Sequence, residues 1–169
     1  MHVYELYIMR HGAAALADPA GGSDAERGLT PRGIRRLKTI ARGLDRLDLG
    51  IERIVSSPVV RARETARIVA QGLGLEDALE FSDVLQTGAS AGAVQRFLHG
   101  RAESRLLVIG HNPTLSELVG RLVEGDGSRP SIELKKGGVA ALRGSAPTAE
   151  LMELAWLATP RLFRRLGAD

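Results

Sequence analysis

The chain has 169 residues, 44% of them hydrophobic, with 23 basic against 20 acidic side chains and a net charge of +3; that is enough for one domain with a full core. Only Lys38, Lys135 and Lys136 are lysines, the arginines are dispersed along predicted helices and aromatic content is 4%, which argues against the basic stripe and stacking rings of a nucleic-acid binder. There is no cysteine, hence no disulfide or thiol chemistry; no apolar run approaches the roughly 18 residues of a membrane span, and Val3 to Met9 is too short and lacks the basic leader of a signal peptide, so the cytoplasm is the expected compartment.

The first predicted element is a short, bounded strand over Val3 to Met9, which runs directly into Arg10-His11-Gly12. A long connection, Ala13 to Gly28, leads to Leu29-Thr30-Pro31-Arg32-Gly33, where Thr30 is placed to cap a helix and Pro31 to open it. That helix is expected to reach Leu47, with Ile34, Leu37, Ile40, Ala41, Leu44 and Leu47 on its apolar face. A strand at Arg53 to Val55 leads into Ser56-Ser57-Pro58, where Ser57 is expected to cap and Pro58 to open a helix running to Leu73. A short strand at Glu80 to Phe81 precedes a helix from Ala91 to Leu98.

The run Leu106 to Ile109 is a buried strand ending in Gly110-His111-Asn112-Pro113, with Asn112 expected as the cap and Pro113 as the first residue of a helix to Val123. After a loop over Glu124 to Ser131, Gly138 to Leu142 and Leu151 to Trp156 suit a pair of strands that includes an antiparallel edge, and Pro160 to Leu166 a final helix. Alternating strands and helices place the chain in the α/β class. With no repeat, linker or low-complexity tract, residues 1 to 169 are expected to form a single domain.

In such folds ligands bind in the crevice outside the carboxyl ends of the strands, which is where His11 and His111 are expected. At a helix N-terminus, free N–H groups and the dipole favour an anion beside His111. Arg61 falls in the first turn of its helix, where a cation is unfavourable for the helix itself. An anion held in front of the helix would account for it, since a guanidinium fork binds a phosphoryl group bidentately. Two histidines and an arginine at strand ends point to phosphate chemistry. No cysteine, His-x-x-x-His pair or run of spaced aspartates marks a metal site, so neither metal nor other cofactor is expected.

Four segments carry a resemblance to a family: Arg10-His11-Gly12, Leu29-Thr30-Pro31-Arg32-Gly33, Ser56-Ser57-Pro58-Val59-Val60-Arg61-Ala62-Arg63-Glu64-Thr65-Ala66, and Val108-Ile109-Gly110-His111-Asn112-Pro113. In this order and spacing the chain resembles the histidine phosphatase superfamily, which includes the phosphoglycerate mutases, and most closely its small SixA-type phosphohistidine phosphatases. The resemblance implies a three-layer α/β/α sandwich, phosphoglycerate mutase-like, around a mostly parallel sheet with an antiparallel edge strand. It implies that His11 is the nucleophile and that Arg10, Arg61 and His111 surround the phosphoryl oxygens, with Gly12 and Asn112 as further phosphate contacts. A neutral imidazole nucleophile and a protonated His111 would then be expected. An ordinary histidine titrates between about pH 5 and 8, so activity should fall towards acid in that window.

The departures from the family pattern are informative about substrate. Larger relatives supply a glutamate as general acid after the third strand; here that segment reads Phe81-Ser82-Asp83-Val84-Leu85-Gln86-Thr87-Gly88, with Thr87 at the matching position and Asp83 as a substitute candidate. Ala13 follows Arg10-His11-Gly12 where many relatives carry an acid. A site without a proton donor should favour a leaving group that departs easily, such as the imidazole of a phosphohistidine, and the short chain leaves little for a lid. Phosphohistidine on phosphotransfer proteins is therefore the expected substrate, the alternatives being small phosphate esters or a non-catalytic module that binds phosphorylated partners. Neither nucleic acid nor membrane is expected as a partner.

Overall fold

The computed structural model describes residues 3–17, 20–125, 132–148 and 151–168. Six strands, β1 (Tyr4–Arg10), β2 (Arg53–Ser56), β3 (Leu79–Phe81), β4 (Arg105–Gly110), β5 (Val139–Gly144) and β6 (Met152–Ala158), form one sheet in the order β3-β2-β4-β1-β5-β6. The first four are mutually parallel, β5 runs against β1, and β6 runs against β5. Both tail strands thus build the antiparallel side of the sheet.

Five helices cover the two faces: α1 (Pro31–Asp45), α2 (Val60–Leu73), α3 (Ala91–His99), α4 (Thr114–Glu124) and α5 (Pro160–Leu166). The central strands are apolar throughout because both their faces are covered, and alternation along each strand divides their side chains between two cores. Leu6 and Ile8 of β1 with Leu106 and Val108 of β4 pack against Val94, Leu98, Leu115 and Leu118 from α3 and α4. Tyr7, Met9, Leu107 and Ile109 face the other way, against Leu37, Ile40, Val69 and Phe163 from α1, α2 and α5. The result is the three-layer α/β/α sandwich expected.

The predicted elements are all present with ends shifted by a few residues, and two predicted caps lie elsewhere. Thr30 caps α1 as expected, its Oγ1 accepting from the Gly33 N–H at 2.9 Å. Ser57 does not cap α2, which starts at Val60 with Val59 at its N-cap; the Ser57 hydroxyl accepts from the Val59 N–H and turns to His111. Nor does Asn112 cap α4, which starts at Thr114; its side-chain amide donates to the Leu134 carbonyl. In both places the polar residue before the proline is drawn away from the helix by a tertiary partner. The predicted loop after Glu124 lies partly outside the described residues, at 126–131.

The strand order fixes the site. β1 and β4 are neighbours, with Arg10 paired to Gly110, yet the helices that follow them pack on opposite faces of the sheet, α1 on one and α4 on the other. Diverging connections open a crevice at the carboxyl ends of these two strands, and the next residues, His11 and His111, flank it.

The helix layer over β1 depends on one close approach. A Cβ on Gly43 of α1 would lie 2.1 Å from the Phe163 carbonyl oxygen of α5. Gly43→Ala should gain about 1 kcal/mol in helix propensity, but a backbone oxygen cannot swing aside, and overpacking of this kind costs about 1–3 kcal/mol. We expect the clash to prevail and the melting temperature to drop by several degrees, at roughly 2–4 °C per kcal/mol in a chain of this size; an unchanged or raised value would mean that α5 can retreat freely.

Candidate active site

His11 is held by backbone on both sides. Its N–H donates to the Gly110 carbonyl at 3.1 Å, and the Gly137 N–H donates to the carbonyls of both Arg10 and His11. Gly12 lies flat on α1, where a Cβ would stand 2.5 Å from Leu37 Cδ1. The Gly12 N–H donates to Thr65 Oγ1 at 3.0 Å, and that hydroxyl donates to the Arg61 carbonyl at 2.6 Å. Gly12 is therefore engaged with α2 through its N–H.

The His11 ring is oriented by its own loop. Nδ1 lies 2.7 Å from the Gly12 carbonyl oxygen, which can only accept, so Nδ1 carries the proton and Nε2 the lone pair. The His111 ring packs at 5.1 Å between centroids, tilted by 53°. Its Nε2 is 2.9 Å from Ser57 Oγ, while its Nδ1, buried, has no partner among the described residues.

The two arginines approach the same pair of rings. Arg61 is only 4% exposed and reaches the short helical turn Asp24–Glu26 in the connection after β1, donating from Nη1 to the Asp24 carbonyl at 2.8 Å and from Nη2 to Asp24 Oδ2 at 3.0 Å. Arg10 is half-buried and donates from Nη1 to the Leu134 carbonyl at 3.1 Å, the oxygen that also takes the Asn112 amide. Arg10, His11, Arg61 and His111 are thus brought together at one crevice. Asn112 stands beside them with its Oδ1 buried and unpartnered among the described residues.

Burial and positive surroundings set the protonation of this cluster. The His11 pKa is pushed from the ordinary 6.5 down to about 3, chiefly by burial, with His111, Arg61 and Arg10 adding to the effect against the Gly12 hydrogen bond. His111 is pushed down to about 4, again by burial first and then by Arg61, while Asp24 acts weakly the other way. Both rings are neutral at pH 7. Burial and the neighbouring guanidiniums thus disfavour the charged form of both rings in the free protein. The His11 ring therefore gains its proton at lower pH than an ordinary histidine.

The sequence reading did not single out Asp24, Thr65, Glu64 or Leu134. Asp24 sits in an exposed loop with no periodicity to place it; it touches Arg27 through Oδ1 and Arg61 through Oδ2. Glu64 accepts from the Leu29 N–H at 2.7 Å, and its position three residues after Arg61 is the one available signal, since i and i+3 share a helix face. Arg63 is half-buried, whereas Arg67 is exposed. Asp83 is exposed and takes the Gln86 amide, and Thr87 is exposed on the same loop. Among the described residues no group of three or more His, Asp or Glu side chains is placed to hold a metal ion, and no helix is long and apolar enough to cross a membrane.

Comparison with known proteins agrees with this geometry. The family model described as histidine phosphatase superfamily (branch 1) matches residues 6–86. Phosphohistidine phosphatase SixA of Escherichia coli is 34% identical over 125 residues, covering 72% of this chain and 76% of that protein. An uncharacterized protein of Picosynechococcus is 37% identical over 150 residues, covering 84% of this chain and 86% of its own. The structure of the protein histidine phosphatase SixA complexed with tungstate superimposes with a TM-score of 0.80 at 28% identity, over 93% of this chain and 97% of that one. The chain belongs to the histidine phosphatase superfamily, and that membership supports phosphatase activity.

Two predictions follow from the charges in the crevice. Because both histidines are neutral when folded and have an ordinary pKa near 6.5 when unfolded, the protein should lose stability as pH falls from about 6.5 towards 4 and 3, while nothing is lost above 6.5. In the free protein the ring protons of His11 and His111 should show no NMR titration between pH 5 and 8; a midpoint near 6.5 for either would contradict the burial argument. Separately, Asp24→Ala removes the negative charge that Arg61 now faces, so tungstate should bind more tightly than to wild type. Weaker binding by calorimetry would mean instead that Asp24 orients Arg61 for the anion.

Proposed function

We propose that this chain is a metal-independent phosphatase that works through a covalent phosphohistidine on His11, with the phosphohistidine of phosphotransfer proteins as its substrate. The observation that carries the reading is the hydrogen bond from His11 Nδ1 to the Gly12 carbonyl in a ring held neutral by its surroundings. It leaves Nε2 unprotonated, which a nucleophile near neutral pH requires.

In the first step Nε2 of His11 attacks phosphorus, forming a new N–P bond as the substrate's P–N bond breaks. The electron pair of that bond leaves with the substrate imidazole, which is protonated by solvent. Charge on the transferred group lies mainly on its three equatorial oxygens. Arg10 and Arg61 offer preset guanidinium donors there, and the unpartnered Nδ1 of His111 becomes a donor once the phosphoryl dianion draws a proton onto the ring. Water then attacks phosphorus in the second step, releasing inorganic phosphate and returning the lone pair to His11 Nε2. Asn112 contributes a side chain at the rim, and Gly12 acts by shaping the loop.

The choice of substrate rests on proton donors. An alkoxide leaving group needs a general acid, typically worth about 10²- to 10⁴-fold. Thr87 cannot serve near neutral pH, and the Asp83 carboxylate is turned to Gln86. Asp24 is nearest to the cluster, but Arg27 first, and then Arg61, hold its carboxyl below its usual range, so it stays ionised. An imidazole leaving from a phosphoramidate needs none of them. SixA of Escherichia coli, by name a phosphohistidine phosphatase, supports the same choice.

Phosphate release should be measured under single-turnover conditions from a histidine-phosphorylated transfer protein and from an aryl phosphate ester. The phosphohistidine should be hydrolysed faster, His11→Ala should abolish release, and Arg61→Ala should slow it by about 10²-fold or more, on the scale of losing an oxyanion donor. Preference for the ester would place a proton donor in the crevice and make the chain a small-molecule phosphatase; binding of the phosphoprotein without turnover would make it a binding module.

A further inference from the structure

Six arginines of the described chain, Arg27, Arg53, Arg61, Arg101, Arg105 and Arg143, each lie within 4 Å of a carboxylate. A cleft between α1 and α5 is different. Its walls carry Arg36, Arg164 and Lys136, no acidic residue lines it, and Gly12 and Ala13, directly after His11, line it as well. None of these three cations forms an ion pair among the described residues, and the Arg164 Nε is buried without a hydrogen-bond partner. Arg32, in the first turn of α1, adds a fourth positive charge where that helix has no acid. Burial first, and then the charges of Arg32 and Arg164, disfavour the Arg36 cation.

Like charges gathered without counter-charges repel one another and disfavour the folded state. No carboxylate of the described residues lines this cleft to supply a counter-charge. Here an anion from outside would supply it, and the position next to His11 says which molecule can bring one.

We propose that the cleft lined by Arg36, Arg164 and Lys136 is a docking subsite for an acidic segment of the protein whose phosphohistidine enters the crevice. The proposal deepens the protein-phosphohistidine reading and rests on it. The cleft begins one residue beyond His11, and an extended chain advances about 3.3 Å per residue, so carboxylates a few residues from the phosphorylated side chain reach it. A small phosphate ester does not extend so far, and the subsite thus separates a protein substrate from a metabolite through binding, leaving the chemistry at His11 unchanged. Rim charges of this kind act mainly on the association rate and its salt dependence.

The test uses a fluorescein-labelled hexaglutamate peptide and fluorescence anisotropy with the full chain, in low and in physiological salt. Wild type should bind the peptide in low salt, and binding should weaken as salt rises. The double charge reversal R36E/R164E should weaken it at least tenfold and the milder R36Q/R164Q by less, while R67E, on the exposed side of α2, should leave it unchanged. Tungstate affinity, which reports on the catalytic crevice, should survive in the Gln variant and show that it is folded. No peptide binding by wild type, or an equal loss in R67E, overturns the proposal. Because this readout needs no turnover, peptide binding in a protein that fails to hydrolyse phosphohistidine would leave the anion subsite standing and would refute the substrate.

Discussion

A guanidinium buried as deeply as that of Arg61 must be hydrogen-bonded, because a charge taken out of water without a partner costs several kcal/mol. Much of this site can be traced to that requirement. Arg61, Glu64 and Thr65 lie at i, i+3 and i+4 on one face of α2, and each takes a different part of the connection after β1: Asp24, the Leu29 N–H and the Gly12 N–H. One helical face therefore fixes both ends and the middle of a stretch that would otherwise be a long surface loop. Gly12, next to His11, is positioned by the same face that presents Arg61.

The sheet supplies the second constraint. Parallel pairing of β1 with β4 sets the two histidines at adjacent strand ends, and the opposite paths of α1 and α4 keep the space between them open. Placing two imidazoles side by side within reach of two guanidiniums favours their neutral forms. The stability given up as pH falls thus has the same physical origin as the neutral state of the His11 ring at neutral pH. An arrangement that made His111 a permanent cation would bind anions more tightly and would release phosphate more slowly.

Much of this was legible in the sequence for reasons that differ from element to element. Strands such as Leu106 to Ile109 are apolar enough to announce burial on both faces, and Pro31 and Pro160 mark helix starts because proline suits the first turn. Ser57 and Asn112 were misread by the same rule. Both precede prolines, but a hydroxyl beside a buried imidazole and an amide beside a buried carbonyl have better partners than a helix end, and only the fold brings those partners. Asp24 was invisible because it belongs to a loop whose path is set by α2, 37 residues away in sequence from Arg61. The lowered histidine pKa values were equally hidden, since burial is a property of the assembled crevice. The four motifs survived because each is local: a strand end, a turn and the first residues of a helix.

The charges around the crevice are unevenly arranged, and the unevenness bears on mechanism. On the α2 side Arg61 is matched by Asp24, so an incoming phosphoryl group must compete with a carboxylate already in place; the exposure of that carboxylate, 64% of its side chain, keeps it well solvated and the competition mild. On the α1 and α5 side Arg36, Arg164 and Lys136 face no carboxylate among the described residues. An approaching phosphorylated surface therefore meets an unanswered positive field first and a neutralised one last. Such an order favours ligands that carry negative charge in two places over those with a phosphoryl group alone, because only the former exploit the unmatched side before displacing Asp24 from Arg61. Selectivity would then arise from the distribution of charge across the ligand.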